Sequence, residues 1–292
     1  MYRKQFALIG CPLGHSMSPF LHERLFSFSG TDASYELMEF PREELPRAVE
    51  RLRAYDGFNI TIPYKEAVIP LLDGIDEKAR FFGSVNTVKN ENGKLYGHTT
   101  DGDGFLFALA AAGVTEPGDV LLLGSGGASR AMGGTALLAG ASSVTIAARN
   151  PARAEPLAAD LRAIAEAKGL SCRVAVETFE ALEADRASRY TLLVNGTPVG
   201  MHPHTEGCPV SADVVERCGA VFDAVYNPDE TVLLRTAKRL GKTAVHGIGM
   251  LCGQAAKAQE LWGLSACGRE TLLALSADAV AEMNRRFKGE SK

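Results

Sequence analysis

At 292 residues with 46% hydrophobic side chains, the chain is long enough for about two domains, each with its own core. Thirty-one basic against thirty-five acidic side chains give a formal charge of −4, which excludes a broad electrostatic grip on nucleic acid or an anionic membrane, so any anion site must be local. Six cysteines, at 11, 172, 208, 218, 252 and 267, have no CxxC spacing and read as reduced thiols; the apolar run 6–9 is too short for a secretory or membrane segment, and a cytoplasmic location is expected.

Residues 6–9 read as a buried strand entering a Gly/Pro loop, and 19–28 as a helix with Ser18 as its N-cap. Ser16 and Ser18 thus fall at a helix N-terminus, where a hydroxyl serves either capping or ligand binding. A strand over 33–40, a helix over 42–52, a strand over 57–62 and a helix from Lys65 continue an alternating order, so the first hundred residues predict one α/β unit.

Within that unit, Gly57-Phe58-Asn59-Ile60-Thr61-Ile62-Pro63-Tyr64-Lys65 and Gly97-His98-Thr99-Thr100-Asp101 carry the most chemistry. A carboxylate near Lys65 would position its ammonium to exchange a proton with a carbinol oxygen, while Asn59, Thr61 and Asn86 are suited to hydrogen-bond a polyhydroxylated ligand. The same segments also fit a strand-to-loop passage ending in a solvated lysine, since most Lys–Asp pairs so separated in sequence are surface charges.

From Asp119 the pattern sharpens: Val120-Leu121-Leu122-Leu123, the turn Gly124-Ser125-Gly126-Gly127-Ala128, an Ala-rich helix to Ala139 and a strand over 143–147. An all-apolar strand implies burial on both faces of a parallel sheet, and glycines at the turn let backbone approach a pyrophosphate at the helix N-terminus. Ser129 takes the last position of the full G-x-G-x-x-G, so the turn is incomplete, but its strand–turn–helix–strand context predicts a dinucleotide site. No acidic residue occurs between Gly124 and Glu155, where a NAD site places one for the ribose hydroxyls. Arg149 and Arg153 stand there instead, suited to a 2′-phosphate and hence NADP, or read as two solvated arginines opening a helix.

A helix over 151–168, strands over 190–195 and 220–226, and helices over 250–262 and 271–287 complete the predicted elements. His202, His204 and Cys208 have an H-x-H-x3-C spacing, but the ligand count is incomplete and Pro203 and Gly207 indicate a loop; no metal site is expected. His15 and His22 have no matching constellation.

Together these segments resemble the shikimate dehydrogenase family over nearly the whole chain. Pro12-Leu13-Gly14-His15-Ser16-Met17-Ser18-Pro19 resembles its substrate loop, Asn59 to Lys65 its N-x-T-x-P-x-K signature, and Ser84-Val85-Asn86-Thr87-Val88 its second substrate strand. Residues 124–131 are similar to its G-x-G-G-A-x-x-A diphosphate loop, and Asn195-Gly196-Thr197-Pro198-Val199-Gly200-Met201 to the loop beside the nicotinamide. Asp223-Ala224-Val225-Tyr226-Asn227-Pro228 and Gly249-Met250-Leu251-Cys252-Gly253-Gln254-Ala255 resemble two late motifs.

The resemblance implies an α/β substrate-binding domain over 1–104, a Rossmann-type parallel-sheet NADP-binding domain over 105–243, and C-terminal helices over 244–292 returning to the first, with a cleft between domains that closes on the substrate. It implies NADPH-dependent reduction of 3-dehydroshikimate to shikimate, with Lys65 and Asp101 as the catalytic pair. Ser16, Ser18, Thr61, Lys65, Asn86, Asp101, Tyr226 and Gln254 would hold the substrate. Gly124, Ser125, Gly126, Gly127, Ala128, Arg149, Arg153, Thr197, Ala224 and Gly247 would line the cofactor. A small-molecule substrate, no nucleic acid or membrane partner, and a monomer or homodimer are expected.

Three positions depart from the family pattern: Thr99 for the Asn of G-x-N-T-D, Ala148 for the Asn before the cofactor Arg, and Glu23 for the Asn after His22. They bear on affinity and cofactor ratio, since none replaces Lys65 or Asp101. A quinate/shikimate dehydrogenase using NAD, and a non-catalytic ligand sensor on the same fold, are the competing readings; the arginines argue against the first and the retained Lys65 and Asp101 against the second.

Overall fold

A computed structural model describes residues 3–14 and 16–287; His15, inside the motif over 12–19, and the ends of the domains expected to begin at 1 and finish at 292 lie outside the described residues. The chain divides into two compact units, the first running to Gly104 and resuming over Cys252–Arg286, the second taking Phe105–Leu251.

The first unit contains β1 (Lys4–Gly10), α1 (Ser18–Ser29), β2 (Ala33–Glu39), α2 (Leu45–Leu52), β3 (Gly57–Ile60), β4 (Gly74–Ile75), α3 (Glu77–Phe82), β5 (Thr87–Glu91) and β6 (Lys94–His98). Its sheet has the order β2-β1-β3-β5-β6-β4, parallel from β2 to β3 and antiparallel through β3, β5 and β6. The antiparallel half depends on a tight hairpin: Asn92 and Gly93 both have positive φ (56° and 85°), the two-residue turn that matches the right-handed twist of paired strands. Along α2, Leu45, Ala48, Val49 and Leu52 are buried at helical spacing, and Leu45, Val49 and Leu52 share one core cluster with Ala7, Ile9, Phe58 and Ile60, which roots the helix on the sheet.

Two local expectations give way. No helix starts at Lys65; the chain makes turns and a short 3-10 segment (Ile69–Leu71), because Pro70 has no N–H to donate and its ring obstructs a continuing helix. Ser18 is the first residue of α1, not its cap, and contributes no capping bond; its own N–H donates to Ser16 Oγ at 3.2 Å.

α4 (Asp101–Ala111) starts in the first unit and continues into the second. There follow β7 (Asp119–Leu123), α5 (Gly127–Leu138), β8 (Ser143–Ala148), α6 (Pro151–Ala167), β9 (Arg173–Thr178), α7 (Phe179–Ala184), β10 (Tyr190–Asn195), α8 (Ala212–Glu216), β11 (Cys218–Asp223), α9 (Val232–Arg239) and β12 (Thr243–His246). All six strands are parallel in the order β9-β8-β7-β10-β11-β12, which is 3-2-1-4-5-6 in this unit's own count, the doubly wound order of dinucleotide-binding sheets. Val120, Leu121, Leu122 and Leu123 are wholly buried, as a central strand covered on both faces requires.

α10 (Gly247–Leu261) leaves the second unit and α11 (Arg269–Phe287) follows. The expected boundary at 244 moves to Cys252, since Thr243–His246 pairs in register with β11 and belongs to the second sheet. Trp262, just past α10, ties that helix to the first unit: its ring stacks on Phe6 at 4.3 Å, its Nε1 donates to Val88 O at 2.9 Å, and with Ala258 it joins the cluster of Leu8, Leu13, Phe26 and Tyr35. α11 is held by Asp278, which pairs with Arg24 of α1. All six cysteines are free thiols, and no helix among the described residues is long and apolar enough to cross a membrane.

Candidate active site

The antiparallel half of the first sheet explains how residues distant in sequence converge. Because β5 runs opposite to β3 and β6, the C-terminal ends of β3 and β6 and the N-terminal end of β5 share one edge. Asn86 immediately precedes β5, and its N–H donates to His98 O while Ile60 N–H donates to Asn86 O. Beyond β3, Lys65 O accepts from Val85 N–H at 2.9 Å, tying the lysine backbone beside Asn86. Asp101 opens α4, where a carboxylate is favoured by the helix dipole.

The side chains meet there. Lys65 Nζ donates to Asp101 Oδ2 at 2.7 Å, and Asn86 Nδ2 donates to Asp101 Oδ1 at 2.8 Å, so both carboxylate oxygens are engaged. Asp101 is 9% exposed and Lys65 28%, a pair whose lysine opens toward solvent and whose carboxylate is anchored. A buried carboxylate needs such charge-assisted donors to offset lost hydration. Gln254 of α10 joins through Oε1, 3.3 Å from Asn86 Nδ2. Ser16, Ser18 and Thr61 are half-buried in this same unit, Thr61 following β3 and held by its N–H to Ile9 O.

Asn59 does not fit the ligand-binding expectation. Its Oδ1 accepts from Tyr35 Oη at 2.8 Å, and its Nδ2 donates to Asn86 O at 3.1 Å and Thr87 Oγ1 at 3.0 Å. With one acceptor bond and both amide hydrogens committed internally, the side chain braces the site from beneath. Tyr35, Thr87 and His22, none of them given a role from sequence, belong to this inner layer; the Asn92-Gly93 hairpin signal is the one local cue that would have paired β5 with β6.

In the second unit, the turn after β7 lies beside the turn after β10, the point where strand order reverses. Gly124 has φ +90°, and a Cβ there would stand 2.8 Å from Thr197 Cγ2; a Cβ on Gly196 would stand 2.2 Å from Ser129 Oγ. Ser129 is fully buried against that turn, which explains a serine in place of a third glycine. At Gly126 and Gly127 an added Cβ would meet nothing within 4 Å, so the start of α5 is open to an approaching group. α5 also lacks a side-chain cap and a first-turn acid, while α6, α7, α8 and α9 are capped by Asn150, Thr178, Ser211 and Thr231. Open backbone N–H groups at a helix N-terminus suit a diphosphate.

Ala148 ends β8, buried, and Arg149 and Arg153 beyond it are exposed, their guanidinium groups without a hydrogen-bond or ion-pair partner among the described residues. Two uncommitted guanidinium groups beside the glycine turn fit a 2′-phosphate. The loop from β10 is pinned by Asn195, whose Oδ1 accepts from Thr197 N–H and Oγ1 and whose Nδ2 donates to Asp223 at 2.9 Å. Burial pushes the Asp223 carboxyl upward, opposed by hydrogen bonds from Thr231, Val225 N–H and Asn195. Ala224 and Tyr226 follow β11 and Gly247 follows β12; burial raises the Tyr226 hydroxyl. Among the described residues, His202, His204 and Cys208 included, no group of three or more His, Cys, Asp or Glu is arranged to hold a metal ion.

The profile of the shikimate dehydrogenase substrate binding domain matches residues 8–88. A shikimate dehydrogenase (NADP(+)) of Methanothermobacter thermautotrophicus is 39% identical over 282 residues, covering 96% of each chain. The chain belongs to the shikimate dehydrogenase family. Two solved relatives share its fold. The Thermus thermophilus shikimate 5-dehydrogenase in complex with NADP(H) and shikimate has TM-score 0.81 and 36% identity, covering 94% of this chain and 99% of that one. The Listeria monocytogenes shikimate 5-dehydrogenase in complex with shikimate and NAD has TM-score 0.84 and 31% identity, covering 94% and 96%.

Lys65 and Asn86 fall within the matched substrate-domain profile, and Asp101 lies past its end. Of the three departures from the family pattern, Glu23 is exposed on α1 and Ala148 is buried. Thr99 is the consequential one: it is 3% exposed and its Oγ1 is buried without a hydrogen-bond partner among the described residues.

Proposed function

We propose that this member of the shikimate dehydrogenase family catalyses the reversible NADPH-dependent reduction of 3-dehydroshikimate to shikimate. The carrying observation is the Lys65–Asp101 pair, 2.7 Å apart with Asn86 on the other carboxylate oxygen. In this reading Ser16, Ser18, Thr61, Asn86, Asp101, Tyr226 and Gln254 hold the substrate's hydroxyls and carboxylate. Gly124, Ser125, Gly126, Gly127 and Ala128 cradle the cofactor diphosphate, Arg149 and Arg153 take the 2′-phosphate, and Thr197, Ala224 and Gly247 line the remainder.

NADPH, when bound, supplies the hydride that turns the ketone carbon into a carbinol carbon. As negative charge grows on the carbonyl oxygen, the Lys65 ammonium stabilises it and delivers the proton that completes the alcohol; in reverse, Lys65 Nζ takes that proton back. Asp101 keeps Lys65 oriented and accepts from a substrate hydroxyl, while Asn86 fixes the carboxylate so that neither partner must reorganise during the step. Two observations support NADP: the uncommitted arginines after β8 and the lack of an acidic residue there. A cytoplasmic reaction with small molecules, by a monomer or homodimer, is part of this reading; the near-balanced charge of the chain supports a small-molecule partner over a polyanionic one.

The deciding assay follows the reduced-nicotinamide absorbance with shikimate and with quinate, each with NADP and with NAD. Turnover chiefly with shikimate and NADP is expected. Preference for quinate or NAD would transfer the protein to a catabolic role, and no turnover in any of the four would leave a ligand sensor.

A further inference from the structure

Behind Asp101 the buried polar groups form one directed chain whose proton positions are set at both ends by backbone. Thr100 N–H donates to Asn86 Oδ1 at 2.9 Å, so that atom is the amide oxygen's acceptor end and Nδ2 must face Asp101. Asn59 Nδ2 lies 3.1 Å from the carbonyl oxygen of Asn86, which makes it a donor and leaves Asn59 Oδ1 to accept from Tyr35. Thr87 Oγ1 sits between: it accepts from Asn59 Nδ2 at 3.0 Å, and its own proton points to Asn86 Oδ1 at 3.1 Å, the Thr100 hydroxyl being farther at 3.5 Å. Every donor in the series Tyr35, Asn59, Thr87, Asn86 thus aims toward the Asp101 carboxylate, which Lys65 meets from the other side.

We infer that Tyr35, Asn59 and Thr87 are positioning residues for the Lys65–Asp101 pair, acting through Asn86 and not through contact with any ligand. This rests on the activity proposed above. Aligned hydrogen bonds polarise one another, so each link strengthens the next and the last link stabilises the negative charge on Asp101. The geometry is rigid as well as polarised. Thr87 is fully buried, Asn59 and Thr87 are register partners between β3 and β5, and the Tyr35 ring is locked by stacking on His22 at 4.2 Å and 9°. Burial also holds the Tyr35 hydroxyl well above its ordinary range against a weaker downward pull from a hydrogen bond with Ser18, so it remains a donor at any working pH. A purely space-filling interior would need none of these hydroxyls; valine and phenylalanine would fill the same volumes.

Thr87→Val removes the central hydroxyl at nearly constant volume, and Tyr35→Phe removes the outermost one. With shikimate and NADP, kcat of folded Thr87→Val is expected to fall about ten-fold and that of Tyr35→Phe about three-fold, with KM for shikimate changing less than about two-fold. Thr87→Ser, which keeps the hydroxyl, should return kcat to near the wild-type value. An unchanged kcat in folded Thr87→Val, a loss confined to KM, or failure of Thr87→Ser to rescue would overturn the inference. A second measurement needs no turnover: in urea unfolding, the midpoint losses of Thr87→Val and Asp101→Asn should be clearly non-additive in the double variant, and additivity would overturn the inference on its own. Absence of wild-type turnover with shikimate would count against the activity reading, while the unfolding cycle would still decide whether the chain of hydroxyls reaches Asp101.

Discussion

Lys65 Nζ and Asp101 Oδ2 lie 2.7 Å apart although they stand 36 positions apart in the sequence, and the lysine is the more exposed of the two. The ammonium therefore has one face held and one face available. Lys65→Ala should lower kcat for shikimate oxidation by roughly 10²- to 10⁴-fold, the usual worth of a positioned proton carrier, with a much smaller change in KM. Steady-state kinetics on the folded variant checks this; turnover near wild type would remove Lys65 from the chemistry.

Arg149 follows the end of β8, exposed and with no hydrogen-bond or ion-pair partner for its guanidinium among the described residues, so its truncation breaks no hydrogen bond or ion pair there. Arg149→Ala is expected to raise KM for NADP by about ten-fold or more, the equivalent of a lost charge-assisted hydrogen bond, and to leave KM for NAD almost unchanged. Equal effects on both cofactors would contradict the assignment to the 2′-phosphate.

His22 gives the protein an acid sensitivity of known sign. Burial holds its imidazole far below the ordinary value of 6.5, at about 3, against a weaker upward pull from a hydrogen bond with Asn59. Gln259 Nε2 donates toward His22 Nδ1 at 3.2 Å, an arrangement that a protonated ring opposes. The unfolded chain takes up this proton below 6.5 and the folded chain does not until about 3, so the unfolded state binds more protons in that window. The stabilisation is complete above pH 6.5 and is lost by roughly 1.4 kcal/mol per unit as pH falls toward 3. Urea midpoints measured between about pH 7 and 5 should show that slope in the wild type and a shallower one in His22→Gln.

Thr99 Oγ1 is buried with no partner among the described residues, a desolvated hydroxyl that folding does not repay. Thr99→Val keeps the shape and removes the hydroxyl, and should stabilise the protein by about 1 kcal/mol. A melting temperature that fell instead would mean the hydroxyl is satisfied in solution.

Much of the second unit is legible directly from the chain. Val120 through Leu123 is apolar on consecutive positions, which only a strand covered on both faces tolerates, and the glycines after it leave room for phosphate at the head of α5. The first unit is less transparent. The Asn92-Gly93 turn that reverses β5 is a local signal easily passed over between two short polar strands, and Pro70 already forbids the helix expected from Lys65. The strand over 173–178 has only half-buried and exposed side chains, as an edge strand can, so its sequence lacks the apolar run that marks the others.

By itself the sequence determined which chemical groups were present: a lysine and a carboxylate able to share a proton, a flexible turn opening a helix, two arginines where an acid would otherwise stand. Those properties belong to residue type and to spacing along a single element, and they need no partner to be recognised. Tertiary structure decided how the groups are used. It turned Asn59 inward to Tyr35 and Thr87, gave Asn86 to both Asp101 and Gln254, left Thr99 without a partner among the described residues and drew Trp262 back onto Phe6. Each of these is a choice among competing hydrogen-bond or packing partners far apart in sequence, and it is settled only when strand register and helix docking fix which atoms come within reach.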